Sequence, residues 1–423
     1  MTSHDDLDRR LTAWLDEEVA MHAPIGLLES ATGRVARARP LPGWATTERW
    51  ISMETRAMLG AVPRVIIVLA TIGLLAALTA GTIAIGAAVS GGSANGLIVY
   101  QHASGDLWTV EHDGSDPRPL VESDATLSAP AWSPDGRRVA YWSTETGGRE
   151  NALIVSDADG SDPIVVASDI GEITGWALPD WSPDGTRLAF TAATSVIREA
   201  HCSAEGSFCG SRLFVAASDG TTGAVQTGDP GLDARTAAWS PDGSTIAFGA
   251  GDTVGDIRLH VMDADGSNVR QVSDLQGETW ALLRLDWSPD GTSIVGTSGH
   301  PAWDIWVFPT DGGRESNVSA VDVETRSVDQ LFPTYAPDGA IAWWRGGDGL
   351  CECLTIREGA TEPVELTGGT WAPAWSPDGQ FIVTQRQDSD GELIIIDRSG
   401  AVQATIDGVG DARYGASWQN LGR

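Results

Sequence analysis

The pentapeptide Trp-Ser-Pro-Asp-Gly occurs at residues 132–136, 181–185, 239–243, 287–291 and 375–379, and a sixth copy reads Tyr-Ala-Pro-Asp-Gly at 335–339. The copies are 40 to 58 residues apart, a spacing typical of one repeated structural unit. Because neighbouring repeats bury a continuous core together, the function is expected to belong to the whole array. The pentapeptide therefore indicates an architecture and leaves the ligand open.

Residues 130–167 show what one repeat contains. Trp132 ends a first strand, and the next four residues match a type I turn, with Ser first, Pro second and Gly fourth. Apolar runs that predict the second, third and fourth strands lie at 137–143, 153–156 and 164–166. The repeat is therefore predicted to be a four-stranded antiparallel blade of a β-propeller.

The two ends of the array predict how the ring closes. Residues 97–121 supply three strands without a first strand, and residues 414–418 resemble a first strand with nothing after it. Pairing these ends makes a composite blade and leaves no open edge in the ring. We therefore predict an all-β fold over residues 97–423, a propeller of seven blades, with six or eight blades as the alternative.

A run of 25 uncharged residues, 65–89, precedes the array. As a helix it is long enough to cross the roughly 30 Å hydrocarbon core of a bilayer. The polar stretch before it is too long for a cleaved signal peptide. We predict a cytoplasmic segment of short helices at 1–60, a transmembrane helix at 63–90 and a linker at 91–96.

The charges around this run predict its orientation. Arg49, Arg56 and Arg64 precede it, so the positive-inside rule places the N-terminus in the cytoplasm and the propeller outside. The cytoplasmic segment is similar in layout to membrane-bound anti-sigma factors, but no cysteine precedes Cys202 to form their zinc site. A tether or a self-association helix is the alternative, and the role of residues 1–60 stays open.

Most of the negative charge lies in the propeller. The net charge is −31, and residues 1–96 hold nine acidic and eight basic side chains, which leaves −30 for the rest of the chain. A surface this acidic repels phosphate backbones, so no nucleic-acid partner is expected. Membrane contact is expected only through residues 65–89.

All four cysteines lie in the propeller. Cys202 and Cys209 lie in its longest insertion, and a disulfide between them is predicted in an oxidising compartment. The spacing of Cys351 and Cys353 strains a direct bond, so their partners stay open. No cofactor or metal is expected, because the Asp-Ala-Asp-Gly segments lack the final carboxylate of a calcium loop and suit hairpin turns.

The repeated turn, followed by an apolar strand and an Asp-Gly hairpin, resembles the WD-repeat-like repeat of the TolB family, also found in relatives of prolyl oligopeptidase. The resemblance covers residues 97–423 and implies a propeller. The chain departs from that family in its predicted anchor, in having no recognisable N-terminal TolB domain, and in seven predicted blades where six are expected. It also has no Gly-x-Ser-x-Gly elbow to position a hydrolase nucleophile.

Ligand contacts are expected on the face opposite the repeated turns. The turns are uniform, so their tryptophans are interpreted as packing residues between blades that do not touch a ligand. The variable loops are expected to present aromatic, histidine and acidic side chains to a protein, peptide or saccharide. These residues are Trp176, Trp280, His300, Trp303, Trp371, Glu172 and Glu278. The alternative is that the tryptophans pack at the starts of innermost strands.

Two functions are consistent with these patterns. The first is a membrane-anchored extracytoplasmic module that binds a partner or acts as a scaffold, coupled to the cytoplasmic segment. The second is a propeller enzyme, a lyase or a hydrolase, with a site built from loops at the channel mouth. No motif singles out a catalytic residue, which favours binding.

Overall fold

A computed structural model describes the propeller. The described residues are 95–145, 151–168, 178–193, 211–229, 231–251, 257–275, 284–298, 303–319, 328–347, 353–366, 370–386, 391–410 and 415–422. Within these ranges no helix is long and apolar enough to cross a membrane. The predicted cytoplasmic segment and transmembrane helix lie outside the described residues.

The described strands are short and are numbered in chain order. Blade 1 contains β1 (Asn95–Gln101), β2 (Leu107–Val110), β3 (Arg118–Val121) and β28 (Ser417–Asn420). Blade 2 contains β4 (Thr126–Trp132), β5 (Arg138–Thr144), β6 (Asn151–Asp157) and β7 (Ile164–Ala167). Blade 3 contains β8 (Asp180–Trp181), β9 (Arg187–Ala193), β10 (Ser211–Ala217) and β11 (Val225–Thr227). Blade 4 contains β12 (Asp233–Trp239), β13 (Thr245–Gly251), β14 (Arg258–Asp263) and β15 (Arg270–Gln271).

The remaining strands complete the ring. Blade 5 contains β16 (Leu285–Trp287), β17 (Ser293–Ser298), β18 (Asp304–Pro309) and β19 (Ser316–Asn317). Blade 6 contains β20 (Val328–Tyr335), β21 (Ile341–Gly347), β22 (Cys353–Arg357) and β23 (Val364–Leu366). Blade 7 contains β24 (Thr370–Trp375), β25 (Phe381–Arg386), β26 (Glu392–Asp397) and β27 (Val402–Ile406).

These strands form seven four-stranded sheets. Six sheets use four consecutive strands, and the seventh has the order β28-β1-β2-β3. In that sheet β28 pairs antiparallel with β1, with Ile98 opposite Trp418. The predicted seven-bladed propeller and its closure by the terminal strands are therefore confirmed.

Side chains of the repeated turn hold it in place. In the first copy the Gly136 amide donates to the Ser133 carbonyl at 2.8 Å, and the Ser133 hydroxyl donates to Asp135 at 2.6 Å. The same hydroxyl accepts the Arg138 amide at 3.0 Å, which joins the turn to β5. Gly136 has a φ of 66°, a conformation that strains other residues, so this position requires glycine.

The hydrophobic core lies between the blades. Seven buried clusters are described, and each combines residues from two neighbouring blades. Between blades 2 and 3, for example, the rings of Trp142 and Phe190 meet edge to face at 5.4 Å. Because each blade buries its apolar face only against its neighbours, the ring is stabilised by its junctions.

Candidate functional site at the propeller axis

Turn tryptophans join neighbouring blades close to the axis. The Trp181 indole Nε1–H donates at 3.0 Å to the carbonyl of Ala131, the residue before the turn tryptophan of blade 2. The same bond recurs from Trp287 to Ala238 at 3.0 Å, from Trp375 to Thr334 at 3.3 Å and from Trp418 to Ala374 at 3.0 Å. The predicted packing of these tryptophans between blades is confirmed, and they also hydrogen-bond there.

The other three junctions use the side chain of the residue before the aromatic one. These bonds run from the amide of Trp239 to Asp180 Oδ2 at 2.6 Å, from that of Tyr335 to Asp286 Oδ2 at 2.8 Å, and from that of Trp132 to Ser417 Oγ at 3.1 Å. At each of the seven junctions, a hydrogen bond therefore joins the end of one innermost strand to the end of the next. Where the residue before the turn aromatic is Asp or Ser, its side-chain oxygen accepts the bond, and where it is Ala or Thr, its backbone carbonyl accepts the indole of the next blade.

Residues from all seven blades line a cavity of about 600 Å³, which therefore lies on the axis. Its walls are the ends of the innermost strands, and the turn prolines Pro289, Pro337 and Pro377 also line it. The cavity is therefore at the end of the channel that carries the repeated turns. Trp239 and Trp287 line it too, so the expectation that turn residues stay away from a ligand site does not match this cavity.

Two carboxyl groups, Asp180 and Asp286, and one guanidinium, Arg284, line this axial cavity. Burial is the largest influence on each: it raises the pKa of Asp180 to about 7, raises that of Asp286 and lowers that of Arg284. The positive charge of Arg284 opposes the shift of both acids, whereas Asp286 raises the pKa of Asp180 further. Near neutral pH the Asp180 carboxyl can therefore either donate or accept a hydrogen bond.

Two of the predicted ligand-binding residues are described. Trp371, in β24, stacks on Trp344 with ring centroids 5.0 Å apart, and Phe332 lies 5.5 Å from it. Trp303 precedes β18 and packs at the edge of the core between blades 4 and 5. Neither Trp303 nor Trp371 lines the axial cavity. Trp371 lies in an innermost strand and fits the packing alternative, whereas Trp303 precedes a third strand. Ligand binding by these two residues stays a prediction.

The other predicted residues, Glu172, Trp176, Glu278, Trp280 and His300, lie outside the described residues. The predicted disulfide between Cys202 and Cys209 lies there as well. Cys353 is disulfide-bonded through a partner outside the described ranges. In the part of the chain that the structure describes, no group of three or more His, Cys, Asp or Glu could hold a metal ion.

Sequence reasoning missed Asp180, Arg284 and Asp286. The residue before the turn tryptophan is alanine in three of the copies, Ala131, Ala238 and Ala374. An acid at this position in two further copies is the irregularity that could have directed attention to the axis. Because the turn itself is uniform, comparing only the loops hides this signal. No comparable pattern marks Arg284.

The family described as the TolB beta propeller domain matches residues 98–354. The Tol-Pal system protein TolB of Thioalkalivibrio sulfidiphilus is 40% identical over 62 residues, which are 15% of this chain. The matched segment spans only 14% of that relative's length.

Solved structures are similar over most of the propeller. Puromycin hydrolase has a TM-score of 0.53 and 17% identity, over 72% of this chain and 50% of its own. Prolyl oligopeptidase B of Galerina marginata has a TM-score of 0.51 and 12% identity, over 72% of this chain and 48% of its own. At these identities the likeness concerns the fold alone.

Proposed function

This chain belongs to the TolB β-propeller domain family, and we propose that it is a partner-binding module anchored in the membrane by residues 65–89, with its propeller outside the cytoplasm. The axial cavity is the observation that carries the binding proposal. All seven blades build it, and Asp180, Arg284 and Asp286 lie in its wall. Concave sites with a few convergent polar groups on rigid elements are where proteins most often bind ligands.

The chemistry of the cavity suits a segment of a partner protein that offers N–H groups or a positive charge. The bonds to the next blade use Oδ2 of Asp180 and Oδ2 of Asp286. Both carboxylates also line the cavity, where a ligand can reach them. With both acids ionised the three charged groups sum to −1, and Arg284 limits the repulsion between the carboxylates.

The location is supported by features of the chain outside this cavity. Residues 65–89 carry no charge and are long enough to span a bilayer as a helix. Cys353 is disulfide-bonded, and disulfides persist in oxidising compartments and are rare in the cytosol. Protease added to intact cells is expected to remove the propeller, whereas its protection would contradict this orientation.

Photo-crosslinking with the full chain in living cells tests the binding proposal. A photoreactive amino acid at Ala374, which lines the cavity, is expected to give a discrete adduct with a partner protein. The matched control is Val225 on the outer strand of blade 3, where the side chain is 62% exposed. Equal crosslinking from Ala374 and Val225, or none from Ala374, would contradict a binding site on the axis.

One observation favours the second candidate, an enzyme. A carboxyl with a pKa near 7 in a cavity is suited to move a proton, and Asp180 has this property. In that case the full chain would turn over a small substrate, and Asp180→Asn would abolish turnover while leaving substrate binding measurable. Turnover that survives Asp180→Asn would remove this candidate.

A further inference from the structure

The junction between blades 5 and 6 differs from the two junctions that follow blade 2. Arg138, the first residue of β5, lies 5.1 Å from the Trp181 ring and donates to the Gly185 carbonyl at 2.7 Å. In the next junction Arg187, the first residue of β9, lies 4.5 Å from the Trp239 ring. An arginine of one blade thus covers the turn tryptophan of the next blade in both junctions.

Ser293, the first residue of β17, is the equivalent residue in blade 5. The carbonyl oxygen of each such residue accepts the amide of the turn serine in its own blade, at 2.8 Å for Arg138 and 2.9 Å for Ser293. Ser293 is too short to cover a ring, and its hydroxyl instead lies 3.1 Å from the Tyr335 hydroxyl. Tyr335 itself occupies the place of a turn tryptophan.

Ser293 and Tyr335, which are smaller than the arginine and tryptophan at the equivalent positions, line a second cavity of about 600 Å³ between blades 5 and 6. Its lining residues include Tyr335, Ile341, Val307, Val318, Asp290 and Asp338. Counting described residues alone, the buried cluster at this junction contains five residues, whereas the one between blades 2 and 3 contains thirteen. The junction is therefore less completely filled by the chain's own side chains.

We propose that this second cavity binds an arginine side chain of a partner protein. Its guanidinium would lie over the Tyr335 ring as Arg138 lies over Trp181, a favourable contact between a cation and an aromatic face. It would donate to the Gly339 carbonyl as Arg138 does to Gly185. Among the described residues, no side chain donates to the Gly339 carbonyl. The junctions at Trp181 and Trp239 thus show, within the same chain, a group that fits.

One carboxylate in the cavity wall is placed to meet a cation. Asp290 accepts its hydrogen bonds from Ser288 and Thr292 through Oδ1, so Oδ2 is available to a ligand. Asp338 is already paired with Arg398 at 2.7 Å. Arg357 also lines the cavity and keeps its positive charge, with one of its N–H groups bound to the Val318 carbonyl at 2.8 Å. Asp290 is therefore the carboxylate that a partner's arginine would meet.

The planar guanidinium distinguishes arginine from lysine here. It can stack on an aromatic ring and donate at its edge at the same time, whereas an ammonium group is compact and more strongly hydrated. Tyr335 lines both cavities, whereas Asp290 and Ser293 line only the second one and Asp180 only the axial one. The success or failure of the arginine proposal can therefore be separated from that of the proposed function.

Calorimetry on the full chain in detergent tests this assignment with two probes, acetyl-Gly-Arg-Gly-amide and acetyl-Gly-Lys-Gly-amide. The arginine peptide is expected to bind about tenfold more tightly than the lysine peptide. Ser293→Arg places an arginine of the chain itself in the cavity, so it should abolish binding of the arginine peptide and raise the melting temperature. Equal affinity for both peptides, or unchanged binding to a folded Ser293→Arg variant, would overturn the proposal.

A second pair of variants keeps the test valid if Ser293→Arg does not fold. Asp290→Asn retains an oxygen for the turn and removes the charge, so it should weaken binding of the arginine peptide by about tenfold. Asp242→Asn makes the same change in the equivalent turn of blade 4 and should have no effect. If Asp290→Asn and Asp242→Asn weakened binding of the arginine peptide equally, the proposed arginine site between blades 5 and 6 would be contradicted. Self-association that Ser293→Arg removes would identify a second copy of this chain as the occupant and overturn the assignment to a separate partner.

Discussion

The junctions between blades 4 and 5 and between blades 5 and 6 are built from the same repeat but are closed by different groups. At the first, the Trp287 indole donates to the Ala238 carbonyl. At the second, the Asp286 carboxylate accepts the Tyr335 amide. The two junctions differ in the aromatic residue of the second blade, since Tyr335 has no indole N–H, and in the residue before the turn aromatic of the first blade, which is Ala238 in one and Asp286 in the other. Where it is an acid, the junction also brings a charge into the axial cavity.

The largest loss of stability is expected when an indole that joins two blades by a hydrogen bond is removed. Trp287→Ala should lower the free energy of unfolding by about 3–5 kcal/mol, because it leaves a space in the core between blades 4 and 5. Urea denaturation measures this loss. Trp287→Phe keeps much of the ring but not the bond to Ala238, so its loss should be clearly smaller. Similar losses for the two variants would mean that packing does not dominate this junction.

A carboxyl at a junction should make stability depend on pH. The pKa of Asp180 is about 7 in the folded protein against a usual 3.8, so folding favours its protonated form. Its contribution to stability is then greatest below about pH 4 and is lost as the pH rises towards 7. Asp180→Asn should flatten the stability profile in this window, where the wild type loses a few kcal/mol.

Asp184 provides the matched control for this pH dependence. Hydrogen bonds from Ser182 and Thr186 lower the pKa of Asp184 to about 2. The contribution of Asp184 is therefore present above about pH 4 and is lost as the pH falls through 2. Asp184→Asn should therefore change the stability only at low pH, below about pH 4. If Asp180→Asn and Asp184→Asn changed the same pH range, the burial of Asp180 would not be the cause.

A smaller loss of stability is expected when the carboxylate that accepts the hydrogen bond between two blades is removed. Asp286→Ala leaves the Tyr335 amide without its partner and should cost about 1–3 kcal/mol in urea denaturation near neutral pH. Asp286→Asn keeps an acceptor oxygen and removes a buried charge, so it should be at least as stable as wild type there. A loss in the Asn variant as large as in the Ala variant would show that the charge itself is needed.

The smallest effect is expected from making one junction resemble another. Arg138→Ser gives the junction between blades 2 and 3 the small residue that Ser293 provides between blades 5 and 6. It removes a cation–ring contact and a bond to the Gly185 carbonyl, which should cost about 1–2 kcal/mol. Arg137→Ser, at the exposed neighbouring position, should change the thermal denaturation curve much less.

The fold could be predicted from the sequence because one turn is repeated with constant chemistry. Serine, proline, aspartate and glycine each have a local role in that turn, so every copy marks the end of an innermost strand. The composite blade could also be predicted, because Trp418 ends an incomplete repeat. Local hydrogen bonds determine these features, and a local pattern is enough to reveal them.

The axial cavity could not be predicted in the same way. It depends on side chains far apart in the sequence, such as Asp180 and Asp286, that the closed ring brings to one axis. A tryptophan in a loop, by contrast, has the same appearance in the sequence whether it binds a ligand or packs. Trp371 illustrates this, because its stacking on Trp344 depends on how two blades meet.

The affinity of the captured partner for the full chain tests the axial cavity most directly. Calorimetry should compare the wild type, the Asp180→Asn/Asp286→Asn double variant and Asp184→Asn, whose carboxyl lies in a turn and does not line the cavity. The double variant is expected to bind at least about tenfold more weakly, whereas Asp184→Asn should match the wild type. An unchanged affinity in the folded double variant would contradict binding at the axis.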